Sequence, residues 1–346
     1  MLSSSKPVVF VQTNDAKSNH VVAYRRDAGG NLADAGLYAS GGRGSGMPHL
    51  ASQSSIVVDA MGTRLLVANA GSGDVSAFAI EDDGLVLVDR THVGTAPTSI
   101  AIHGDLVYAL CTGGPAEITG LRIGDDGRLS AIPGSARGLS TPDADPAQIS
   151  FSPDGSTLVV TERATDAIST FAVSADGSAT GPTVIASSGK TPYGFEFTNA
   201  GALVVSEAAG GMVGAASASS YRLDAPSRLA AVSGPIGNTR SEVCWAVVSP
   251  DDRFAYVTNF GDGTISSYTI GNDGAIALLD PVAARTVDGQ KGLRDEALTG
   301  DGRFLYALHA DVQKVFGWTI GEDGALEPVG SFGAGLPETV AGLAVV

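Results

Sequence analysis

Seven polar or reactive side chains recur at one equivalent position along the chain, each directly after a short apolar run such as TLVVT, LVVS or FLYAL. They are Asn14, Asn69, Cys111, Glu162, Glu207, Asn259 and His309. Histidine titrates near neutral pH and carboxyl groups exchange protons readily, so two glutamates and a histidine brought together could perform acid–base chemistry. The alternative is structural, because polar side chains at strand ends also satisfy backbone groups and bind water.

A second set of candidates opens other apolar runs and consists of larger side chains, namely Gln148, Tyr193, Trp245, Arg294, Asp295 and Glu296. The triplet at 294–296 is the least strand-like in the chain. Charges on an inner strand are unfavourable unless they pair with one another or face water. An arginine there could hold a substrate carboxylate or a developing oxyanion. An internal ion-pair network is the alternative interpretation.

A repeated framework positions these candidates. The segments 151–177, 248–274 and 298–324 are close copies of one another, and 58–84 is a more divergent copy. Each copy alternates β-branched and aromatic runs with Asp-Gly or Gly-Asp turns, which predicts hairpins joined in a meander. No segment shows a convincing helical period, so the chain is predicted to be all-β.

The spacing of the repeats predicts how many units there are. Pro48, Pro97, Pro146 and Pro192 open successive units at intervals of 49, 49 and 46 residues, and 346 residues divided by about 49 gives seven. Four strands per unit at this period predict a seven-bladed β-propeller with four-stranded antiparallel blades, in one domain over 1–346. The predicted blades are 6–45 with 337–346, 46–95, 96–144, 145–191, 192–241, 242–291 and 292–336.

The two ends of the chain are predicted to close the ring. The opening segment KPVVFVQTND supplies a second strand, and PETVAGLAVV (337–346) supplies the missing first strand, which removes two exposed sheet edges. In such a ring strand one begins and strand two ends on the same rim, so both sets of candidates should meet at one mouth of the channel. His49 lies in an enlarged connection that could overhang this mouth, and the loop 208–220 is a candidate lid.

Composition narrows the classes of partner. The 37 acidic and 21 basic residues give a net charge of −16, and Lys and Arg form no tract, so neither nucleic acid nor an anionic membrane is expected as a partner. No run of eighteen apolar residues and no signal-like segment is present, which favours a cytoplasmic protein that acts on a small molecule. The two cysteines, Cys111 and Cys244, are predicted to be small buried side chains.

The segments FSPDGSTLVVTE (151–162), EVCWAVVSPDDRFAYVTN (242–259) and LPETVAGLAVV (336–346) resemble the bacterial lactonase-type seven-bladed propeller family. Propeller 6-phosphogluconolactonases and a carboxymuconate-lactonising enzyme belong to the wider circle of this family. The resemblance covers nearly the whole chain and implies the same fold and chemistry on lactones, with no metal or other cofactor. Glu207 matches a glutamate of the phosphogluconolactonase pattern, whereas Tyr193 and Gly194 replace its Arg-His step.

The leading hypothesis is hydrolysis of a small sugar-acid or carboxylated lactone at the channel mouth. His309 or Glu207 would be the general base, Arg294 would anchor an oxyanion or carboxylate, and Glu162 would be a second acid. The predicted substrate contacts are Tyr193, Trp245, Gln148, Asp295, Glu296, Asn14, Asn69, Asn259 and His49. The alternatives are a lactonising cycloisomerase or lyase at the same site, a divalent cation on the channel axis, and a non-catalytic binding scaffold.

Overall fold

The fold consists almost entirely of short strands. The computed structural model describes residues 7–48 and 50–346, which form 29 strands and two single-turn 3₁₀ segments, Ala209–Gly211 and Ala310–Val312. The strands are β1 Val8–Gln12, β2 His20–Arg26, β3 Leu32–Ala39, β4 Ile56–Val58, β5 Arg64–Asn69, β6 Asp74–Glu81, β7 Gly84–His92, β8 Pro97–His103, β9 Leu106–Cys111, β10 Glu117–Ile123, β11 Leu129–Ala131, β12 Arg137–Gly138, β13 Pro146–Phe151, β14 Thr157–Glu162, β15 Ala167–Val173, β16 Ala179–Ala186, β17 Pro192–Phe197, β18 Ala202–Glu207, β19 Ser217–Ala225, β20 Arg228–Gly237, β21 Val243–Val248, β22 Phe254–Asn259, β23 Thr264–Ile270, β24 Ile276–Arg285, β25 Leu293–Leu298, β26 Phe304–His309, β27 Lys314–Ile320, β28 Leu326–Phe332 and β29 Ala341–Val345.

The strands form seven antiparallel sheets, one for each predicted blade. In chain order the blades are β29-β1-β2-β3, β4 to β7, β8 to β12, β13 to β16, β17 to β20, β21 to β24 and β25 to β28. The innermost strands contact one another in a closed cycle, from β4 through β8, β13, β17, β21 and β25 to β29 and back to β4. The predicted seven-bladed β-propeller is therefore confirmed.

Blade 3 departs from the regular pattern only at its outer edge. There β11 and β12 both pair with β10, so the outermost strand is broken into two pieces. Between the two pieces the Ser135 hydroxyl accepts a hydrogen bond from the Gly120 amide at 3.0 Å. The Ser135 hydroxyl therefore accepts the hydrogen bond that a backbone carbonyl of a continuous outer strand would have accepted from Gly120.

The ring closes as the terminal segments predict. Strand β29 pairs antiparallel with β1, with Val9 opposite Val345 and Val11 opposite Leu343. The first blade is therefore built from both ends of the chain, and the inner edge of β1 is covered rather than exposed. This pairing also fixes where the channel-lining strands of blades 7 and 2 meet, because β29 contacts both β25 and β4.

Buried tyrosines on second strands donate hydrogen bonds to glycine carbonyls in turns of the neighbouring blade. The hydroxyl of Tyr108 donates to the carbonyl of Gly177 at 2.7 Å, and Tyr306 donates to Gly30 at 2.7 Å. The φ angles of Gly177 and Gly30 are 84° and 87°, a region that side chains with a Cβ rarely adopt. These turns are therefore structural, and the functional candidates lie elsewhere.

Both cysteines are free and buried, as predicted. In the part of the chain that the structure describes, no helix is long and apolar enough to cross a membrane.

Candidate functional site

The seven side chains of the first predicted set are all buried, with at most 1% of each exposed. Six of them are the last residue of a second strand, whereas Asn14 lies two residues beyond the end of β1. Five of them bond to the connection that arrives from the preceding blade. These pairs are Asn69 with Ser40, Cys111 with Val93, Glu162 with Ser140, Glu207 with Gly189, and Asn259 with Asn238. Equivalent positions in the repeat therefore fasten one blade to the next, which explains their regular spacing.

Both carboxyl oxygens of each of the two glutamates accept hydrogen bonds within the protein. Oε1 of Glu207 accepts a hydrogen bond from the Gly189 amide at 2.7 Å, and its Oε2 accepts one from the Ser217 hydroxyl at 2.7 Å. Oε1 of Glu162 accepts from the Ser140 amide at 3.1 Å, and the Ser140 hydroxyl donates to its Oε2. These contacts support a structural role, and the predicted catalytic roles of both glutamates stay predictions.

The asparagines of this set also bond within the protein. Nδ2 of Asn259 donates to the Thr264 hydroxyl at 3.0 Å, and Nδ2 of Asn14 donates to the Ser45 hydroxyl at 2.9 Å. Asn14 differs from the others because Ser45 belongs to the connection that leaves its blade. Contacts of Asn14, Asn69 and Asn259 with a substrate stay predictions.

His309 is the exception among the seven. It is 0% exposed, and neither of its ring nitrogens forms a well-aligned hydrogen bond within the described part of the chain. Burial lowers the pKa of His309 below its usual value of 6.5, while the nearby carboxylate of Asp311 and the Gln290 backbone oppose the shift. The imidazole is therefore mainly neutral at pH 7. A neutral imidazole with a free nitrogen is suited to accept a proton.

Two predicted aromatic residues meet at the same rim. The ring centroids of Tyr193 and Trp245 lie 4.9 Å apart. Nη1 of Arg163 donates to the Tyr193 hydroxyl at 2.8 Å, and its guanidinium carbon lies 4.8 Å from the centre of the tyrosine ring. Arg163 also pairs with Asp145 at 2.5 Å. Blades 4, 5 and 6 thus contribute an aromatic wall with a cation beside it.

Arg294 lies on blade 7 near the same rim, with 4% of its side chain exposed. Its Nη1 donates to the Pro48 carbonyl at 2.5 Å, and its Nη2 lies 3.5 Å from Oδ1 of Asp311. The guanidinium carbon is 5.2 Å from the centre of the Phe260 ring. Because Asp311 follows His309 by two residues, the histidine and the arginine share one carboxylate neighbour. Arg294 also lowers the pKa of His309.

The enlarged connection into blade 2 crosses the predicted mouth. The Ser52 hydroxyl donates to the Ala147 carbonyl of blade 4 at 2.7 Å. Gln53 reaches blade 6, where its amide donates to the Ala246 carbonyl at 3.0 Å and accepts from the Ala246 amide at 3.3 Å. Together with the hydrogen bond from Arg294 to the Pro48 carbonyl, these contacts hold the connection over the mouth of the channel. His49 lies outside the described residues.

Gln148 forms the same kind of contact between blades 4 and 5. Its Nε2 donates to the Phe195 carbonyl at 2.9 Å, and its Oε1 accepts from the Phe195 amide at 2.7 Å. The amide completes the open backbone edge of an inner strand, as a further strand would. Its predicted contact with substrate stays a prediction.

The remaining members of the charged triplet lie deeper in the channel. Burial raises the pKa of Asp295 to about 6, against the opposing effect of the Gly342 backbone amide. Glu296 lines a cavity below the connection. Among the described residues Arg294 forms an ion pair within 4 Å only with Asp311, so the triplet is not the internal ion-pair network considered above.

The sequence reasoning missed three residues of interest: Arg163, Glu196 and Gln53. Arg163 directly follows the strand end at Glu162, and Glu196 is a charge inside the apolar run YGFEFT, so both carried a signal in the sequence. Gln53 carried none, because its partner Ala246 lies 193 residues further along the chain. Over the described residues, no group of three or more His, Cys, Asp or Glu side chains is placed to hold a metal ion.

The closed ring of seven sheets defines a seven-bladed β-propeller. The family model described as "Lactonase, 7-bladed beta-propeller" matches residues 116–213, so the predicted resemblance to that family is confirmed. No curated protein matches the chain.

Solved structures show the same fold. The periplasmic gluconolactonase of Pseudomonas aeruginosa aligns with a TM-score of 0.73 at 16% identity, over 97% of this chain and 98% of that one. A functionally unknown protein of Desulfotomaculum acetoxidans aligns with a TM-score of 0.76 at 15% identity, over 99% of both chains. A Lactobacillus plantarum protein gives 0.76 at 16% identity, also over 99% of both.

Proposed function

We propose that the protein hydrolyses a small anionic lactone at the rim formed by blades 4 to 7, with His309 as the general base. The observation that carries the proposal is the state of His309, which is buried, largely neutral and without a well-aligned hydrogen bond among the described residues. A buried polar group left unpaired lowers the stability of a protein, so its presence calls for a functional reason. The similarity to the lactonase family supplies the reaction class.

The groups at the rim can be assigned to the steps of ester hydrolysis. His309 removes a proton from water as the water oxygen adds to the lactone carbonyl carbon. The guanidinium of Arg294 stabilises the tetrahedral oxyanion. When the oxyanion collapses, the ring C–O bond breaks and the imidazolium returns the proton to the departing alkoxide. The product is a hydroxy acid, and the histidine is again neutral.

The character of the rim favours an anionic substrate. Arg163 and Arg294 come from different blades, and the pKa of the intervening thiol, Cys244, responds to both cations although burial raises it to about 12. Tyr193 and Trp245 offer apolar contact between them. In a protein of net charge −16, a carboxylated lactone would be selected by local contact with these two arginines, each of which pairs with an aspartate in the free protein.

Access to this site requires the connection 40–55 to move. Pro48 occupies one nitrogen of Arg294, and Gln53 spans the channel beneath the aromatic wall. Loop movements that admit and enclose a substrate are common in enzymes. The binding of the lactone carboxylate by Arg294 would replace the Pro48 contact.

The test is turnover of a panel of sugar-acid, aromatic and aliphatic lactones by the wild type and by His309→Asn. We expect the substitution to lower kcat by about 10²- to 10⁴-fold without a fall in melting temperature. His103→Asn, at the exposed end of β8, is the matched control and should keep full activity. Because the pKa of His309 is lowered, the wild-type rate should begin to fall on acidification only at a pH below the ordinary histidine value of 6.5, as the ring becomes protonated.

Two results would contradict the proposal. One is an undiminished rate in the His309→Asn variant. The other is a wild-type protein that turns over no lactone of any class, which would favour a binding scaffold instead.

A further inference from the structure

The end of the channel opposite the connection contains a cavity of about 430 Å³. The inner strands of several blades line it, and turns between first and second strands surround its opening, among them Asn199, Pro250 and Gly300. No lysine, arginine or histidine of the described chain lines this cavity, whereas Glu196, Asp252 and Glu296 do. The cavity is therefore acidic, and it is separated from the cationic rim by Gln53.

Glu296 has an unusual environment within this cavity. It is 4% exposed, and neither of its carboxyl oxygens forms a well-aligned hydrogen bond among the described residues, although the Thr258 backbone amide is near enough to oppose the rise in its pKa. A buried carboxyl group normally gains several hydrogen bonds or an ion pair, because removal from water is otherwise costly. Glu296 lies beside the open space of the cavity, so its carboxyl oxygens are available to a ligand.

Glu196 faces the same space from blade 5. Its Oε2 accepts a hydrogen bond from the Val248 amide of blade 6 at 2.8 Å, so its other oxygen remains for a second partner. The charge of Glu196 raises the pKa of Glu296, so the two carboxyl groups repel each other when both are ionised. A cation between them would relieve that repulsion.

The other lining residues indicate an organic cation rather than a bare metal ion. Apolar residues of several blades, among them Val247, Leu298 and Leu343, also line the cavity. Such apolar walls suit the hydrocarbon part of an organic cation and offer no ligand to a metal ion. A volume of about 430 Å³ far exceeds the space of one metal ion and falls within the range of small-molecule sites.

We propose that this cavity, here named the carboxyl cavity, binds a small organic cation through its ammonium group, with Glu296 and Glu196 as the anionic partners. The proposal is independent of lactone hydrolysis, because it uses the other end of the channel and different residues. A diamine would place one ammonium group on the glutamates and could extend toward Asp252 at the opening.

The protonation of the free cavity agrees with this assignment. Burial raises the pKa of Glu196 to about 7 and raises that of Glu296 well above its ordinary value. The groups that face Glu296 are Glu196 from β17, Asp295 from its own strand and Tyr256 from β22, whose pKa Glu296 in turn raises. An ammonium ligand would favour the ionised glutamates, so its binding should release protons.

Isothermal titration calorimetry with 1,4-diaminobutane and n-butylamine tests the proposal on the whole protein. We expect saturable binding to the wild type and an affinity at least tenfold weaker for Glu296→Gln. The second variant, Glu196→Gln, should also bind more weakly. Glu322→Gln removes an exposed carboxyl group from a neighbouring turn outside the cavity and is the matched control, with unchanged affinity expected.

Melting curves of all variants identify any that fail to fold, and each titration is repeated with calcium and magnesium chloride. Three outcomes would overturn the proposal: no amine binding to the folded wild type, equal amine binding by the folded Glu296→Gln variant, or binding of the divalent cations alone with the same dependence on Glu296. In the last case the carboxyl cavity would be a metal site.

Discussion

The two ends of the channel share one topology but have opposite chemistry. At one end, Arg163 and Arg294 lie with aromatic rings under a connection that covers the mouth. At the other, Glu196 and Glu296 line an open cavity without a basic residue among the described lining. The comparison shows that a propeller repeat determines where side chains meet, whereas the inner-strand residues and the connections determine what each end can bind.

One connection accounts for much of the difference in access. Strand β3 ends at Ala39 and β4 begins at Ile56, which leaves the 16 residues 40–55 between blades 1 and 2. Between blades 2 and 3, β7 ends at His92 and β8 begins at Pro97, which leaves only the four residues 93–96. The extra length is enough to cross the mouth and reach the inner strands of blades 4 and 6.

The largest effect is expected from Glu207→Ala at the covered end. The substitution leaves the half-buried Gly189 amide and the buried Ser217 hydroxyl without their acceptor, so the free energy of unfolding should fall by about 2 to 4 kcal/mol. Chemical denaturation measures the change. The control is Glu207→Gln, which keeps one oxygen for the Gly189 amide and should lose less than half as much stability.

The same two variants distinguish a structural role of Glu207, which joins two blades, from a catalytic role. If Glu207 only joins two blades, Glu207→Gln should keep most of any lactone turnover. A folded Glu207→Gln protein without activity would show that this carboxyl group is the base, and the role assigned to His309 would then be wrong.

A smaller, pH-dependent effect is expected at the open end. The pKa of Glu196 is raised to about 7 in the folded state, whereas an unfolded glutamate titrates near 4.5, so the folded state binds more protons between these values. The contribution of Glu196 to stability is therefore present below pH 4.5 and is lost as the pH rises through 7. Glu196→Gln should be more stable than the wild type by about 1 to 3 kcal/mol at pH 8 and nearly equal at pH 4.5.

Denaturation at the two pH values measures this difference. An equal difference at pH 4.5 and pH 8 would show that the carboxyl group does not titrate in this range. The aspartate at 252 offers a control on the rim of the same cavity, because Asp252→Asn removes a charge whose oxygens bond to exposed backbone amides.

The sequence was sufficient for the architecture because the evidence for it is repeated. The apolar runs, the Asp-Gly turns and the spacing of Pro48, Pro97 and Pro146 occur in several blades, and the closing strand completes the pattern. The candidate site was only partly accessible in this way. The partners of Glu162 and Glu207 are mostly backbone amides and serines of the connections, which have no distinctive sequence pattern, so a fastening role and a catalytic role look the same in sequence.

The covered mouth was harder still to predict. Gln53 is an ordinary polar residue in a loop, and its contact with Ala246 depends on the diameter of the ring and the path of the loop. Likewise, all three charges of the triplet were predicted to lie at one mouth of the channel, but the advance of the chain along β25 and the register shift between Leu293 and Glu296 bring Arg294 to the rim and Glu296 to the cavity. Sequence shows which charges are present, while the strand geometry decides which end of the channel receives them.

The smallest effect is expected from Gln53→Ala, which removes the contact between the connection and blade 6. Gln53 also lines the carboxyl cavity, where water can replace the lost hydrogen bonds, so stability should fall by only about 1 kcal/mol. The local effect should be larger than the global one: amide hydrogen exchange in residues 50–55 should become faster, because the segment loses its hold on Ala246. Gln148→Ala is the matched control, since it removes the same kind of amide contact from Phe195 without releasing the connection. Equal exchange rates in the connection for both variants would mean that Ser52 and Pro48 hold it in place by themselves, and that Gln53 does not separate the two ends of the channel.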